Sequence, residues 1–353
     1  NKIYPFFINL KSSIDQKFNE EDQVYFNEIQ DYIAKNNSLP FKFNSQELLF
    51  FKKHPQSNWV DYFLFRYKFR KFPKEKIVSN FPIYVLIEPV STCNIRCKMC
   101  FQIDKSFTKK PFMGTMKMDF FKKIIDDCYA NGTRAISLAS RGEPTLHPKL
   151  PEMLDYLSNK FLEVKLNTNG ILLNDELSRS ILANEVTDLV FSIDSYEREN
   201  YEEIRKKAKF DKVVANIKRF MKIRDEEFPD HRTTVRVSGV KVDEKQNKHA
   251  FNEFWARLVD YNVLVDIQER WDTYNNSPLP SEKLLPCGDL FERMYVWWDG
   301  KVNPCDVDYK STLEVGDVNQ QSIKEIWNGR KYSALRKKHL QGLRSDYSVC
   351  AKC

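Results

Sequence analysis

The chain of 353 residues contains no uninterrupted apolar run approaching the roughly 18 residues of a membrane-spanning helix. The longest apolar candidate near its start, residues 4–10, is too short for a signal-peptide core. It also lacks a basic flank and a small-residue cleavage site. No internal repeat and no low-complexity segment is present, and residues 1–80 hold neither cysteine nor glycine. A basic stripe of the kind that tracks nucleic acid is missing too. The net charge of +7 is spread over a long chain with acidic residues interleaved, which reads as a solvated surface.

What is present fits a globular chain. Hydrophobic residues make up 42% and charged residues 30%, which excludes wholesale disorder. At roughly 100–200 residues per domain, two or three domains are expected. The densest basic stretch, residues 66–76 (RYKFRKFPKEK), reads as a helix end and linker. The alternative is a phosphate-binding patch favouring an anionic substrate.

Three regions follow from the patterning. Residues 1–80 form a small helical region, with helices expected over 19–34, 48–53 opened by Ser45, and 59–72; Pro73 and Pro82 bracket a linker. Over residues 81–275 short apolar runs alternate with amphipathic stretches. Strands are expected at 83–89, 135–139, 163–168, 188–193, 234–242 and 264–269. Helices are expected at 119–130, 150–160, 175–184, 210–227 and 247–259. Six strands separated by helices predict an α/β fold with a parallel sheet, open or curled into part of a barrel. Active groups then gather at the carboxyl ends of the strands. In residues 276–353 the alternation stops. Strands at 294–298 and 301–304 flank an Asp299-Gly300 turn, and short helices follow over 323–328 and 332–340.

Seven of the eight cysteines fall in two groups. Such spacing in a long chain without a signal peptide points to metal rather than to disulfides. Cys93, Cys97 and Cys100 lie within eight residues, just past the first strand. Three thiolates can hold three irons of a [4Fe–4S] cluster and leave the fourth open to a small molecule. A structural zinc loop is the other reading, but such sites are closed by four ligands. His147 is the one nearby candidate for a fourth, in a Pro-flanked segment that reads as structural.

This CxxxCxxC run resembles the hallmark of the radical S-adenosylmethionine enzymes, with Met99 in the large apolar place before the third cysteine. Arg141-Gly142-Glu143-Pro144 resembles the family's GGEP motif, which receives the methionine amino group, although Arg replaces the first Gly. Asn167-Thr168-Asn169-Gly170 ends the third strand. Ser192-Ile193-Asp194 ends the fourth, where the family contacts ribose and methionine. Arg205 is placed like the arginine that pairs with the methionine carboxylate, and Val237-Ser238-Gly239-Val240 like an adenine wall. The resemblance implies a partial (β/α)6 TIM barrel and S-adenosylmethionine as cofactor. It also implies a 5′-deoxyadenosyl radical that abstracts hydrogen, a flavodoxin or ferredoxin-type electron donor and a cytoplasmic setting. The cofactor contacts it implies are Met99, Gly142, Glu143, Asn167, Asn169, Ser192, Asp194, Arg205 and Ser238.

Cys287, Cys305, Cys350 and Cys353 form the second group. On spacing alone they suit a zinc site or a fully ligated [4Fe–4S] cluster equally well. Their order, with Trp297-Trp298-Asp299-Gly300 before Cys305 and Ile323-Lys324-Glu325-Ile326-Trp327-Asn328 after it, resembles the twitch or SPASM region behind radical S-adenosylmethionine barrels. That implies a second cluster acting as electron acceptor, and hence a two-electron oxidation. Asp306 and Asp308 are the candidate proton acceptors, with a solvated turn as the other reading. Thiol-assisted epimerisation would need Cys128, which reads as an apolar filler on an outer helix. Gln268, Glu269, Arg270, Trp271 and Lys241 are candidate pocket residues. A sugar, aminocyclitol or nucleotide-linked sugar is the expected substrate. Peptide maturation is the next reading, and a non-enzymatic zinc or iron–sulfur protein the last.

Overall fold

A computed structural model describes residues 2–9, 18–267, 273–280 and 285–353. The N-terminal region is helical, with α1 (Ile3–Ile8), α2 (Glu20–Asn36), α3 (Ser45–Lys53) and α4 (Trp59–Glu75). Asn19 caps α2 by accepting from the Asp22 N–H at 2.8 Å, and Asn44 and Glu47 form a capping box on α3. The buried rings of Phe7, Phe43, Phe51 and Phe63 hold the helices together, with Phe7 and Phe63 centroids 4.5 Å apart. The expected linker does not begin at Pro73. That residue lies in the last turn of α4, where a missing N–H costs one hydrogen bond, and the helix ends at Lys76 with φ 61°.

The basic stretch is scaffold. Arg66 pairs with Glu47 at 2.8 Å, Arg70 with Glu47 at 2.7 Å, Lys68 with Asp22 at 2.8 Å and Lys71 with Glu28 at 2.7 Å. These four cations are committed to carboxylates of the helical region.

The chain then alternates. In order come β1 (Tyr84–Ile87), a short β2 (Arg96–Cys97), α5 (Met118–Ala130), β3 (Ala135–Leu138), α6 (Leu150–Leu157), β4 (Glu163–Thr168), α7 (Asp175–Ala183) and β5 (Asp188–Ser192). They are followed by α8 (Arg198–Ile204), a short β6 (Arg205–Lys206), α9 (Phe210–Glu227), β7 (Thr234–Lys241), α10 (Lys248–Ala256) and β8 (Tyr261–Asp266). β1, β3, β4, β5, β7 and β8 are successive parallel neighbours, the six strands of a partial (β/α)6 barrel. Ile87, Leu138, Leu166, Phe191 and Val237 share one core with Ile125, Leu154, Ile181 and Phe220 of the covering helices. The sixth strand starts three residues earlier than the sequence suggested. It is an edge strand whose one buried residue is Leu264, so its apolar pattern is weak.

The C-terminal region continues the same sheet. β9 (Arg293–Val296) pairs parallel with β1, β10 (Lys301–Asn303) pairs antiparallel with β9, and β11 (Gly316–Asp317) closes the edge. Gly300 turns the hairpin at φ 98°. α11 (Ile323–Trp327), α12 (Arg330–Leu340) and α13 (Ser348–Ala351) cover it.

The helical region closes the barrel floor. Gln46 donates to Asp188 at 3.1 Å and accepts from Arg236 at 3.3 Å, Arg66 lies 3.9 Å from Glu163, and Phe69 meets Tyr84 edge-on at 6.1 Å. Among the described residues no helix is long and apolar enough to cross a membrane.

Candidate active site

At the opposite end, the loop after β1 brings Cys93, Cys97 and Cys100 to a cleft of about 220 Å³. Cys97 is pinned because β2 pairs with β6, which sets Cys97 opposite Arg205. Burial pushes these thiols up, Cys97 to about 11 and Cys100 to about 12. Arg205 opposes that shift at Cys97, its guanidinium donating to Sγ at 3.6 Å. Among the described residues no three His, Cys, Asp or Glu side chains close on a single ion. The thiols stand around a space instead.

Seven of the nine expected cofactor contacts line that space: Met99, Gly142, Glu143, Asn167, Asn169, Ser192 and Arg205. The other two stand behind it. Asp194 is fully buried and holds Arg205 at 2.8 Å while accepting from the Val240 N–H at 2.9 Å. Arg205 therefore spends its fork on Asp194 rather than presenting it free, and one nitrogen remains over Cys97. Ser238 pairs in register with Ser192 but does not reach the cleft.

Glu143 is already a hub. One oxygen accepts from the Thr145 hydroxyl and the Thr168 hydroxyl at 2.7 Å each, the other from the Asn169 N–H at 2.7 Å. Burial raises its carboxyl pKa against the pull of these donors. The second oxygen keeps a lone pair for a further donor. The cleft also holds buried polar atoms with no partner, Asn167 Oδ1 and Ser140 Oγ. Here, beside an open cleft, these orphan atoms have hydrogen-bonding capacity that a ligand could use. The donor set, the orphans and the space fit an open cluster with a polar small molecule beside it.

Arg141 explains the departure at the GGEP position. It is buried and bidentate to Glu88 at 2.6 Å on each arm, and it donates to the Tyr309 carbonyl at 2.9 Å. Its guanidinium lies 4.2 Å from the Trp297 ring centroid. A glycine there could not link the end of β1 to the C-terminal hairpin. Gly142 is required for a separate reason: a Cβ would sit 2.1 Å from the Val90 carbonyl oxygen. Sequence reasoning missed this bolt, and it also missed Gln102, which donates to the carbonyls of Ser91 and Arg141 beside the cleft. The available signal was Glu88, a carboxylate following a buried strand.

The second cysteine group is knitted differently. Cys305 feels the charge of Cys350 and Cys287, and Cys350 that of Cys287 and Cys353, so the four are neighbours. Burial pushes Cys287 up to about 11 and Cys350 to about 12. Arg344, unread in the sequence, donates to the carbonyls of Cys350 at 2.9 Å, Leu285 at 2.8 Å and Cys353 at 2.8 Å. The Cys287 N–H donates to His339 at 3.2 Å. Four thiols suit a fully ligated cluster.

Asp308 does not present itself as a free base. It is fully buried and accepts from the Tyr274 hydroxyl, the Thr312 N–H and hydroxyl, Asn303 and the Leu313 N–H, at 2.6–3.2 Å. Those donors make it the clasp of the loop after Cys305. Asp306 is half-buried, and after burial itself it is the largest charge raising the Cys305 thiol. His147 uses both nitrogens on the backbone, at the Met116 carbonyl and the Lys149 N–H. Cys128 is packed in the core on α5. Lys241 pairs with Glu244 at 2.8 Å on the surface side. Gln268, Glu269, Arg270 and Trp271 lie outside the described residues.

Comparison with known proteins places these features. Residues 87–260 match the Radical SAM superfamily, and residues 287–353 match the SPASM iron–sulfur cluster-binding domain. The tungsten-containing aldehyde ferredoxin oxidoreductase cofactor-modifying protein of Pyrococcus furiosus is 25% identical over 324 residues, covering 76% of this chain and 88% of its own. The antilisterial bacteriocin subtilosin biosynthesis protein AlbA of Bacillus subtilis is 24% identical over 275 residues, 70% of this chain and 60% of its own. Among solved structures, SuiB of Streptococcus suis bound to S-adenosylmethionine superposes with a TM-score of 0.57 at 13% identity, over 97% of this chain and 89% of that one. BtrN in complex with AdoMet and 2-DOIA superposes with a TM-score of 0.52 at 18% identity, over 78% and 94%. At these identities the structural likeness is one of fold.

Proposed function

This chain belongs to the radical S-adenosylmethionine superfamily and carries a SPASM cluster-binding domain, and from that premise we propose that it oxidises a sugar-derived small molecule by two electrons. Its cofactors are [4Fe–4S] clusters and S-adenosylmethionine. When bound, they supply the one-electron chemistry that removes a hydrogen atom from an unactivated C–H bond.

The chain's own residues bind and orient. Cys93, Cys97 and Cys100 would hold the barrel cluster, with S-adenosylmethionine beside it in the cleft they line. The free lone pair of Glu143 receives its amino group, and Asn167, Asn169, Ser192 and Gly142 wall the rest of it, with Met99 packed beside the cluster. Arg205 acts as a fixed positive group over Cys97 that Asp194 holds in place, and Ser238 backs Ser192. Cys287, Cys305, Cys350 and Cys353 hold a cluster with no open position, so its use is electron transfer. Asp306, the carboxylate beside Cys305, is the candidate proton acceptor at that cluster. Residues 1–80 serve as the barrel floor, 81–275 as the barrel and 276–353 as the auxiliary domain. A flavodoxin or ferredoxin supplies the electron.

The observation that carries this reading is the presence of two separate thiol groups: three thiols around an open cleft with unpartnered polar atoms, and four thiols whose loops Arg344 and Asp308 tie down. Peptide maturation is the second reading, favoured by the relative named for bacteriocin biosynthesis. Against it, α3 and α4 spend their polar and aromatic faces on the barrel floor. Cys128, buried on an outer helix, supports no thiol-assisted epimerisation.

The test is anaerobic incubation of the reconstituted protein with deuterated candidate sugars and, separately, peptides, following label into 5′-deoxyadenosine. Label from a sugar with a ketone product is expected. Label from a peptide alone would replace this reading by the second.

A further inference from the structure

Three side chains of β4 face the barrel lumen: Glu163, Lys165 and Asn167. The alternate residues Val164 and Leu166 point outward into the core shared with the helices. The three therefore mark three levels. Glu163 belongs to the floor, where it approaches Arg66 of α4 at 3.9 Å and lines a small cavity with Gln46, Tyr62 and Asp188. Asn167 belongs to the mouth, where it lines the cysteine cleft and keeps Oδ1 unpartnered. Lys165 lies between them, about 7 Å along the strand from each.

The other floor charges have partners within ion-pair distance. Arg66 is held by Glu47 at 2.8 Å, and Arg236 lies 3.8 Å from Asp188, which also accepts from Gln46. Lys165 differs. Its register neighbours are Ser137 on β3 and Asp188 on β5, and among the described residues it forms no ion pair and no hydrogen bond. Beyond it Arg236 keeps a buried Nε without a partner. The nearest carboxylates, Asp188 and Glu163, are shared with Arg236 and Arg66, so a further anion would lower the cost of an ammonium here. Burial first, and then Arg236, push its amine down to about 8 against the opposing pull of Asp188 and Glu163. The floor is closed below by Gln46 and Arg66, and the cleft opens above at Asn167, the next lumen-facing position from Lys165.

We propose that Lys165 is a substrate-binding residue that takes the anionic group, a phosphate or a carboxylate, of the molecule held in the lumen below the cysteine cleft. The inference rests on the radical-enzyme reading above and narrows its substrate class: phosphate- or carboxylate-bearing sugars are selected over neutral ones. A lysine serving only as scaffold would instead have a fixed carboxylate partner.

The test uses the full chain with both clusters loaded and S-adenosylmethionine bound. Lys165 is labelled with trace acetic anhydride and read by mass spectrometry with no addition, with glucose, with glucose 1-phosphate and with glucuronate. Labelling of Lys165 is expected to fall at least about fivefold with one of the two anions and to be unchanged by glucose; which anion protects separates phosphate from carboxylate. The Lys165→Met variant is expected to keep its iron content and its affinity for S-adenosylmethionine. It should lose at least about tenfold in affinity for the protecting anion, and Lys165→Arg should retain most of that affinity. Removing an unpaired buried amine should also raise Tm, whereas loss of a scaffold lysine would lower it. Equal protection by glucose, no protection by either anion, or a lowered Tm in Lys165→Met would overturn the inference. Failure of the wild-type chain to load iron and sulfide would overturn the radical-enzyme reading itself, which separates the two failures.

Discussion

The two cysteine sites have similar ligands and different surroundings. Around Cys93, Cys97 and Cys100 the chain leaves a cleft of about 220 Å³ that the three thiols themselves line, with polar atoms without partners. Around Cys287, Cys305, Cys350 and Cys353, Arg344 ties three carbonyls and Asp308 ties its own loop, although His339 Nε2 and Asn303 Oδ1 keep no partner. The difference lies in ligand number and in the open space: three thiols leave room for a second molecule, and four do not. Arg141, at the wall of the cleft, and Glu88 join the two. Their buried pair locks the loop of Glu143 to Trp297 and Tyr309 of the hairpin.

The contrast breaks first at the cysteines. Cys97→Ala is expected to reduce 5′-deoxyadenosine release to background and to remove about half the iron. Cys305→Ala should keep part of that release while product formation stops. Equal loss of release in both would deny the division of labour. The next largest effect is at the bolt. Arg141→Met leaves Glu88 buried without a counter-charge and should cost about 3–5 kcal/mol by denaturant unfolding. Adding Glu88→Gln should recover a large part of that loss.

Asp308→Asn sharpens the comparison further. It should lower stability by about 1–3 kcal/mol through its backbone donors. Turnover per loaded cluster should hold, whereas a catalytic base would show the reverse. Asn167→Ala should leave stability unchanged, because Oδ1 has no partner to lose, and weaken S-adenosylmethionine binding about five- to tenfold in calorimetry. The smallest effect is in pH. The Lys165 amine falls from 10.5 to about 8 on folding. Its destabilisation is full below pH 8 and is relieved as pH rises toward 10.5. The Tm gap between Lys165→Met and wild type should therefore narrow from pH 7 to pH 9.5.

Much of this was legible in the residues. Strands β3, β4, β5 and β7 and helices α5, α7 and α9 fall within about two residues of their expected bounds, because each has one apolar face against a common core. The cysteine groups and most of the cleft lining were legible because short motifs fix local geometry. What escaped depends on contacts distant in sequence. Nothing near Arg141 announces that Glu88, 53 residues earlier, and Tyr309, 168 residues later, converge on it. Asp308 read as a candidate base because a sequence does not show how many N–H groups a turn will aim at one carboxylate. The use of the N-terminal helices as a floor was invisible for the same reason: Gln46 and Arg66 meet Asp188, Arg236 and Glu163 only after the barrel closes.

The most direct test is electron paramagnetic resonance of the dithionite-reduced protein with and without S-adenosylmethionine. It compares the wild type with the variant carrying Cys93→Ala, Cys97→Ala and Cys100→Ala together. The account predicts that S-adenosylmethionine shifts part of the wild-type cluster signal, and that the variant keeps a cluster signal wholly insensitive to it. A cofactor-sensitive signal surviving in the variant, or an unshifted signal in the wild type, would contradict the assignment of the open site to the barrel and the closed one to the C-terminal domain.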